Sequence, residues 1–454
     1  MSSAAVLDDA DLRATVDRLT ATGALLLLGS IVDMSGVARA KIVPLARAAE
    51  FHRHGMGASP TWNVFCIDNN IAFTEELGVV GDMRLRVDLA AARPLGDGLA
   101  WAPAEQFDQD GAPLPGCARG RLRAVEAAVR ADGLTPLLGT ELEFVLTAAG
   151  GSALPAEQWQ AYGLGAAMSY ERFLTALCSA LDAAGLRVEQ LHAEYAGYQF
   201  ELSLAPAAPL DAADQAVLAR LIVCRVARAQ GLLASFSPLP FAGDAGNGAH
   251  QHLSLWRDNG PLFSAGDGPH GLTADGAAAI AGLVAGLPES VAVFAGSPLS
   301  GFRLQPGHWS GAFACWGREN REAAVRYCAA TPGNPHGAHV ELKCIDPSGN
   351  PYLTSAMLLG LCRHGIRERL PLPPEIDRDP ALLDAAEAEA KGVVALSDSP
   401  AAALDLLRGS RLTSEILGSP IVDALIAVRD YEARTHAGQD AAELAERFRF
   451  AWSS

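Results

Sequence analysis

Gly139-Thr140-Glu141-Leu142-Glu143-Phe144 lies inside a run, residues 135–146, in which polar and apolar residues alternate. Alternation at period two predicts a β-strand. The two glutamates then point to one side of a sheet, and Leu142 and Phe144 point to the other. Two carboxylates at that spacing repel each other unless a cation lies between or beside them. A divalent metal would supply that cation; the alternative is a solvated polar sheet face.

Composition narrows the class of protein. The chain has 454 residues, half of them hydrophobic and 19% charged, which predicts a well-cored globular protein of two or three domains. The formal net charge is −17. An acidic surface argues against nucleic acid or an anionic membrane as a partner, although a local basic pocket can still bind an anionic substrate.

Cysteine usage and the N-terminal sequence predict the compartment. Eight cysteines are scattered without a Cys-x-x-Cys pair and mostly in apolar contexts, which predicts buried free thiols. The N-terminal region carries Asp8, Asp9 and Asp11 and no basic segment typical of a signal peptide. Its longest fully apolar run, residues 24–28, is much shorter than the roughly 20 residues that span a bilayer. We therefore expect a soluble, cytoplasmic protein.

The order of the predicted elements indicates an α+β fold. Strands alternate irregularly with helices, so a doubly wound parallel sheet is not expected, and the sequence contains no phosphate-binding loop of the G-x-x-x-x-G-K-[ST] type. A cluster of turn residues at 108–115 predicts a boundary between domains 1–110 and 111–454. Residues 55–103 read as mixed and rich in turns. Strands are expected at 24–32, 38–43, 135–146, 186–190, 198–204, 249–256 and 340–344, and helices at 9–20, 119–131, 169–184, 211–230, 273–294 and 353–367.

Four further stretches repeat the opening pattern, with carboxylates or imidazoles on one face of a predicted strand. Such a charged face inside a sheet is costly unless metals and a charged ligand fill it. Carboxylates with one imidazole suit Mg²⁺ or Mn²⁺ better than zinc or copper. Basic residues interleaved with them fit phosphoryl transfer, which needs cations around the migrating group. The acidic and imidazole set is Glu141, Glu143, Glu194, Glu201, His250 and Glu341, and the basic set is Arg303, Arg321, Arg326 and Lys343.

Seven motifs follow one another along the chain. They are Ile31-Val-Asp33-Met-Ser-Gly36 with Lys41 and Pro44; Gly139-Thr-Glu141-Leu-Glu143-Phe144; Glu194 with Gln199-Phe-Glu201; Gly246-Asn-Gly248-Ala-His250-Gln-His252-Leu-Ser254; Arg303 with Pro306-Gly307; Asn320-Arg321 with Arg326; and Glu341-Leu-Lys343-Cys-Ile-Asp346-Pro347-Ser-Gly-Asn350-Pro351-Tyr352-Leu353. In these motifs and their order the chain resembles the glutamine synthetase family over nearly its whole length. Seven motifs in the right order are far more specific than one Glu-x-Glu.

The resemblance implies an N-terminal β-grasp domain followed by a catalytic domain, in which an antiparallel sheet forms a funnel surrounded by helices. It implies a ring-based homo-oligomer, such as a dodecamer, with active sites between subunits. The cofactors would be ATP and two or three Mg²⁺ or Mn²⁺ ions per site. One metal would be bound by Glu143, Glu194 and Glu201, and another by Glu141, His250 and Glu341.

The resemblance also implies roles for other residues. Those near ATP would be His252, Ser254, Arg321 and Arg326. Those near glutamate would be Gly246, Asn247, Arg303 and Lys343. The catalytic set would be Asp33, Trp309, Arg321 and Lys343. ATP would phosphorylate the γ-carboxylate, and an amine would then attack the acyl phosphate.

One departure concerns the nucleophile. Ammonia-using members of the family carry a glutamate a few residues after the Arg and Pro-Gly, and that position here is Trp309. A large aromatic in place of this carboxylate resembles the family's γ-glutamylamine ligases, including alkylamine and polyamine types. Trp309 could contact an organic ammonium through its ring or simply pack into the core.

Other positions leave alternatives open. Asp33 matches an aspartate of the family's ammonia users, in which the adjacent subunit supplies this side chain to help bind ammonium. The alternative is that Asp33 is an ordinary turn aspartate. Lys343 and His339 both stand where arginines are usual, and lysine does not reproduce a bidentate arginine. The acid substrate is therefore glutamate or a close analogue.

We expect an ATP-dependent carboxylate–amine ligase that makes a γ-glutamylamide from glutamate and an organic amine. The two alternatives are an ammonia-using glutamine synthetase and a non-catalytic, regulatory member of the family. The sequence does not identify the amine, and it contains no match to the tyrosine-containing adenylylation loop of bacterial ammonia enzymes.

Overall fold

The computed structural model describes residues 7–154, 159–335 and 337–453. Its N-terminal part is built around one sheet of six strands in the order β2-β1-β6-β4-β3, with β5 paired to β6. The elements are α1 (Asp9–Ala21), β1 (Leu26–Val32), β2 (Ala38–Pro44), α2 (Ala48–Arg53), β3 (Met56–Ala58), β4 (Met83–Val87), β5 (Arg93–Gly96) and β6 (Leu99–Phe107).

The rest of the chain carries a larger sheet and most of the helices. Its first elements are α3 (Ala118–Ala131), β7 (Thr135–Ala148), α4 (Leu164–Ser169), α5 (Glu171–Ala183), β8 (Val188–Ala193), β9 (Gln199–Ala207), α6 (Pro209–Ala229), β10 (Leu232–Ser235), β11 (Gln251–Arg257), β12 (Gly260–Pro261), α7 (Ala274–Phe294) and α8 (Ser300–Arg303). Its last elements are β13 (Phe313–Arg318), β14 (Ala323–Cys328), β15 (His339–Leu342), α9 (Pro351–Glu368), α10 (Ala385–Lys391), β16 (Val394–Ala395), α11 (Pro400–Gly409), α12 (Arg411–Leu417), α13 (Ser419–Thr435) and α14 (Ala441–Phe448).

The large sheet has ten strands in the order β16-β13-β14-β15-β11-β7-β9-β8, with β10 on β7 and β12 on β11. The central pairs β15–β11, β11–β7 and β7–β9 are antiparallel. Strand β7, which carries Glu141 and Glu143, is therefore at the centre of the sheet, between β11 and β9. Leu142 and Phe144 on its other face are fully buried, as their alternation predicts.

The α+β architecture with an N-terminal sheet domain is confirmed, and most expected helices and strands are present within a few residues. Residues 55–103, which the sequence describes as mixed and rich in turns, contain β3, β4, β5 and the start of β6. Two strand pairs differ from expectation. The first strand pairs in parallel with β6, and β13 pairs in parallel with β14 although only residues 319–322 connect them. Short connections normally indicate antiparallel pairing, so the sequence pattern does not predict the second pair.

Helix α7 is the one helix among the described residues that is long and apolar enough to cross a membrane, but most of it is buried inside the fold. It packs against α9 at two glycines. A Cβ on Gly282 would lie 2.2 Å from the carbonyl oxygen of Leu361, and one on Gly365 would lie 2.1 Å from that of Ala278. The apolar character of α7 therefore reflects a close helix–helix contact in the core.

A buried guanidinium joins the N-terminal sheet to helix α6 of the larger part. Arg119, at the start of α3, is 3% exposed. It donates to Glu105 of the N-terminal sheet at 2.6 Å and to Asp88 at 3.0 Å. It also donates to Asp214 of α6 at 2.7 and 2.9 Å, and Asp214 accepts from the hydroxyl of Tyr352. A single arginine thus donates hydrogen bonds to carboxylates from both parts of the chain.

Candidate active site

A cavity of about 920 Å³ opens over the centre of the large sheet. Twelve of the residues singled out from the sequence line it: Glu141, Glu143, Glu194, Glu201, Gly246, His250, Arg303, Trp309, Arg321, Arg326, Glu341 and Lys343. The described residues that line it do not include Asp33, Asn247, His252 or Ser254.

Strand register brings the carboxylates of the cavity floor together. Glu143 of β7 lies directly opposite Glu201 of β9, and His192 of β8 lies opposite Glu201 on its other side. Glu341 of β15 lies opposite Arg326 of β14. Like charges directly across a strand pair are destabilising, so the Glu143–Glu201 pair is unfavourable without a cation.

The side chains form three overlapping sets whose ligand atoms lie within 4.8 Å of one another. Glu141, His250 and Glu341 form one set, as the sequence predicts. The predicted trio of Glu143, Glu194 and Glu201 is divided between two sets. Their members are Glu143, Glu201 and His250 in one, and His192, Glu194 and Glu201 in the other.

The pKa values of two carboxyl groups in this floor, Glu201 and Glu141, are shifted in opposite directions. Burial, together with the charges of Glu141 and Glu143, raises the pKa of Glu201 to about 10. Burial also disfavours ionised Glu141, but the neighbouring imidazoles of His252 and His250 hold its pKa well below the usual range. One carboxyl of the cluster thus keeps a proton to limit the repulsion. A divalent cation bound to these oxygens would take over that role, so the donor set fits a hard metal.

Cations converge on Glu341, which is 1% exposed. Arg326 Nη1 donates to its Oε2 at 3.0 Å, and Lys343 Nζ donates to its Oε1 at 3.2 Å. Burial opposes ionisation of Glu341, but Lys343 and the two nearby histidines lower its pKa. The Nε of Arg326 is buried and has no hydrogen-bond partner. The cavity thus offers positive charge directly beside the carboxylates.

Arg303 reaches the same floor from the end of α8. It is 5% exposed. Its Nη2 lies 3.2 Å from His250 Nε2 and donates to the carbonyl of Lys343 at 3.3 Å. Its Nη1 is buried with no partner. A buried guanidinium nitrogen without an acceptor favours binding of an anion.

The loop before β11 is held by amide side chains. Gln199 Nε2 donates to Glu143 Oε2 at 3.1 Å and to Asn247 Oδ1 at 2.9 Å. Asn247 Nδ2 donates to the carbonyls of Ser235 and Ser237 at 3.1 and 2.9 Å. Both polar atoms of Asn247 are therefore in use, and a direct contact with substrate would require one of these bonds to break. Its neighbour Gly246 does line the cavity.

His252 lies behind Glu141. Its Nε2 is 3.1 Å from Glu141 Oε1, and its Nδ1 is 2.9 Å from His339 Nε2. Burial disfavours the imidazolium, but the charge of Glu141 prevails and raises the pKa of His252 to about 9. Ser254 follows two residues later on β11, opposite Leu137. Contacts of His252, Ser254 and Arg321 with ATP stay predictions.

Asp33 is fully buried in the turn between β1 and β2. Its Oδ1 accepts from the backbone N–H of Ser35 at 3.0 Å and from that of Val37 at 2.9 Å, and its Oδ2 accepts from Arg39 at 2.8 Å. Burial raises its pKa, while Arg39 acts in the opposite direction. Within its own chain the carboxylate is thus occupied by the turn, and the predicted role toward the amine of an adjacent subunit stays a prediction.

The rim of the cavity is aromatic. Tyr162, Tyr195 and Trp309 line it with 53%, 67% and 54% of their surface exposed. Trp309 therefore does not pack into the core, which was the alternative to an amine contact. Its ring lies 6.0 Å from the guanidinium carbon of Arg321. Tyr162 stacks on His192 with ring centroids 6.2 Å apart.

Comparisons with known proteins agree with this geometry. The glutamine synthetase catalytic domain matches residues 115–445. The chain belongs to the glutamine synthetase family. It is 39% identical to the γ-glutamylpolyamine synthetase GlnA3 of Streptomyces coelicolor over 95% of this chain and 94% of that protein. It is 30% identical to the glutamine synthetase of Clostridium saccharobutylicum over 78% of this chain and 83% of that protein.

Solved structures of the family show the same fold. A crystal structure of a glutamine synthase homologue is 31% identical, covers 94% of this chain and 99% of its own, and superposes with a TM-score of 0.85. A ligand-free structure of GmaS is 26% identical, covers 94% of this chain and 96% of its own, and gives a TM-score of 0.81. The resemblance inferred from the motifs is confirmed.

Three residues that the sequence motifs do not include enter the site. His192 contacts Glu194 and Glu201 because β8 and β9 pair in the observed register. Tyr162 lies outside any strand, with a positive φ of 58°. Glu322 directly follows Arg321, and its Oε1 accepts from the backbone N–H of Trp309 at 2.8 Å. Gln199, which the motif around Glu201 includes, lies on the strand face of Glu201, and its contact with Glu143 depends on the pairing of β7 and β9.

Glu322 anchors residues 305–311, here called the flap. Trp309 has a positive φ of 52°, and Gly307 and Gly311 on either side have φ of 81° and 73°. Glu322 is 6% exposed, and its Oε2 is buried with no hydrogen-bond partner. A left-handed tryptophan costs conformational energy, so the carboxylate bond to its N–H helps to keep the ring at the rim.

Proposed function

We propose that this chain is an ATP-dependent ligase that joins the γ-carboxylate of glutamate to an organic amine through a γ-glutamyl phosphate. The observation that carries the proposal is Trp309, which stands half exposed at the rim of a cavity whose floor is a cluster of carboxylates. The floor fits activation of a carboxylate by ATP, and the rim fits an amine larger than ammonia. Glutamine synthetases and a γ-glutamylpolyamine synthetase are among the relatives.

The floor would hold two or three Mg²⁺ or Mn²⁺ ions. Glu141, His250 and Glu341 would bind one, and Glu143, Glu201 and Glu194 would supply oxygens for the others. Bound metal would neutralise the phosphates of ATP and polarise the transferred group. Arg321 and Arg326 line the same cavity and would add positive charge to the phosphate during transfer.

Glutamate would bind next to this floor. Arg303 has a buried Nη1 without an acceptor, which suits the α-carboxylate of an amino acid. Lys343 lines the same cavity and donates to Glu341, and its ammonium would help to neutralise the reacting γ-carboxylate. An arginine can bind a carboxylate through two N–H groups, whereas a lysine offers a single ammonium. The orientation of glutamate would therefore depend more on Arg303 than on Lys343.

The amine would enter over the aromatic rim. Tyr162, Tyr195 and Trp309 provide ring faces for an alkyl chain or an organic ammonium, and Asp244, which is not among the proposed metal ligands, lines the same cavity. A carboxylate together with aromatic rings suits an amine with more than one positive charge. The relative in Streptomyces coelicolor is a γ-glutamylpolyamine synthetase, which favours polyamines over short monoamines.

We further propose a ring-based homo-oligomer, such as a dodecamer, that works in the cytoplasm. Two residues near the outer edge of the N-terminal sheet, Leu25 and Ile42, are 72% and 58% exposed, which suits burial by another subunit. Seven of the eight cysteines are buried free thiols, a pattern typical of reducing compartments.

Phosphate release driven by ATP tests the function directly. The purified protein with Mg²⁺ or Mn²⁺ and glutamate would be assayed against ammonium, short alkylamines, diamines and longer polyamines. We expect kcat/KM to be highest with a polyamine and at least about tenfold lower with ammonium, a difference of roughly 1.4 kcal/mol in transition-state stabilisation. If ammonium is the best nucleophile, the proposed role of Trp309 is wrong.

Two alternatives give different results in the same assay. An ammonia-using glutamine synthetase would saturate with ammonium. A non-catalytic family member would release no phosphate with any amine, although all six predicted metal-binding side chains of this chain lie at the cavity. Replacing glutamate by close analogues in parallel tests the acid substrate, which the lysine at 343 leaves open.

A further inference from the structure

A second cluster of ligand atoms lies on the catalytic face of the sheet, further along the strands, where β15 begins and β14 ends. His339 lies two residues before Glu341 on β15, and Cys328 of β14 lies directly opposite His339. His252 of β11 completes the cluster from the other side. One ring nitrogen from each histidine and the sulfur of Cys328 lie within 4.8 Å of one another. None of the three is among the described residues that line the cavity.

The histidines are oriented as metal-ligating histidines are. His339 Nδ1 lies 2.7 Å from the carbonyl oxygen of Gly337, and His252 Nε2 lies 3.1 Å from Glu141 Oε1. His339 is thus held by a hydrogen bond, whereas His252 Nε2 is within ion-pair distance of Glu141 but makes no hydrogen bond. The other two nitrogens, His252 Nδ1 and His339 Nε2, face each other at 2.9 Å. An outer hydrogen bond such as that of His339 fixes the ring and increases its basicity toward a metal.

The donor set selects a different metal class from the cavity floor. Two imidazoles and a thiolate favour Zn²⁺, Co²⁺ or Cu⁺, whereas the oxygen-rich floor favours Mg²⁺ or Mn²⁺. Two nitrogens bound to one tetrahedral ion at ~2.05 Å would lie roughly 3.3 Å apart. The facing nitrogens need to separate only slightly from their 2.9 Å spacing, a change within the reach of side-chain rotation.

We propose that His252, Cys328 and His339 form a site for a thiophilic divalent cation such as Zn²⁺, separate from the catalytic metals and inhibitory when filled. In the metal-free protein one proton shared between the facing nitrogens satisfies both rings. A bound cation replaces that proton and, on thiolate binding, the thiol proton of Cys328. It then fixes the ring that contacts Glu141. The inhibitory consequence rests on the proposed ligase function, but binding itself does not.

Cobalt binding tests the site without any assay of activity. Co²⁺ would be added to the full-length protein in the presence of excess Mg²⁺. We expect a sulfur-to-cobalt charge-transfer band in the near ultraviolet that saturates at one equivalent per chain. The oxygen-rich floor cannot produce this band because it contains no sulfur donor. Cys328→Ser and His339→Gln should each abolish or strongly weaken it.

Cys178→Ser is the matched control, because Cys178 is an exposed free thiol on α5. It should leave the cobalt band unchanged. Absence of the band in the unmodified protein, or a band lost in the Cys178 variant and retained in the Cys328 variant, would overturn the site. Circular dichroism and thermal unfolding of the Cys328 and His339 variants show that a lost band does not reflect misfolding.

Zinc inhibition tests the consequence. With saturating Mg²⁺, the zinc concentration that halves phosphate release should rise at least about tenfold in Cys328→Ser and stay unchanged in Cys178→Ser. Equal inhibition of the two variants would place the inhibitory zinc elsewhere. An inactive protein that still gives the cobalt band would contradict the proposed ligase function and leave the metal site standing, so the two failures are distinguishable.

Discussion

The floor and the rim of the cavity are built in opposite ways. The floor consists largely of buried or partly buried side chains on paired strands, held by ion pairs such as those of Glu341 with Arg326 and Lys343. The rim consists of half-exposed aromatic rings on loops, two of them, Tyr162 and Trp309, on residues with positive φ. Under the proposed assignment, carboxylate activation is set by strand register and amine selection by loops, which can change without disturbing the strands.

The largest expected effect comes from the floor. Glu141→Ala removes a carboxylate shared by His250, His252 and the predicted metal site. We expect kcat/KM to fall about a thousandfold or more, because charge neutralisation during phosphoryl transfer is lost. Phosphate release and Mn²⁺ binding by calorimetry would both be measured, with the exposed Glu189→Ala as the control. Retained activity in the Glu141 variant would refute the metal assignment.

A smaller effect is expected from the rim. Trp309→Glu places a carboxylate at the position where ammonia-using enzymes carry one. We expect kcat/KM for the best organic amine to fall about 10- to 100-fold and the ratio of ammonium to organic amine to rise, since a cation–π contact is exchanged for a charge. Trp309→Phe keeps a ring and should retain most of the preference. An unchanged amine ranking in the glutamate variant would mean that the rim does not select the amine.

The bond between Glu322 and the flap should have a milder effect. Glu322→Ala removes the acceptor for the Trp309 N–H. We expect KM for the amine to rise about three- to tenfold with KM for ATP unchanged, in line with the loss of a hydrogen bond to a charged acceptor. Glu322→Gln still offers an oxygen to that N–H and should lie close to the original enzyme. Equal changes in KM for amine and ATP would indicate general disruption instead.

The smallest effect concerns stability and pH. The folded, metal-free protein keeps a proton on Glu201, whose pKa is raised to about 10 from the usual 4.5, and on His252, whose pKa is raised to about 9 from 6.5. In both cases the unfolded chain loses the proton first, so folded stability decreases as pH rises from 6.5 to 9. The lowered pKa values of Glu141 and Glu341 matter only at acidic pH.

Thermal unfolding in a chelator would therefore show a midpoint several degrees lower at pH 8.5 than at pH 6.5. Adding Mn²⁺ should raise the midpoint more at the higher pH, because metal and proton compete for the same oxygens. Glu201→Gln should flatten the pH dependence. A metal-free midpoint that rises with pH over this range would contradict the assigned pKa directions.

The floor could be predicted from the sequence because its residues follow a period of two on strands. Glu141 and Glu143, or His250 and His252, are recognisable as pairs without knowing which strands are neighbours. His192 joins the floor only through its register with Glu201, which is a long-range property. Tyr162 lies in a loop and Glu322 lies in the connection between the parallel strands β13 and β14, where the local sequence pattern carries no information about position.

Arg119 has a consequence for how the gene can change by recombination. Its guanidinium is shared between Glu105 and Asp88 on one side and Asp214 on the other. Losing partners from such a buried network typically costs several kcal/mol. The N-terminal sheet is therefore not a freely exchangeable module, because a substitute without both acidic partners leaves Arg119 with Asp214 alone and destabilises the fold.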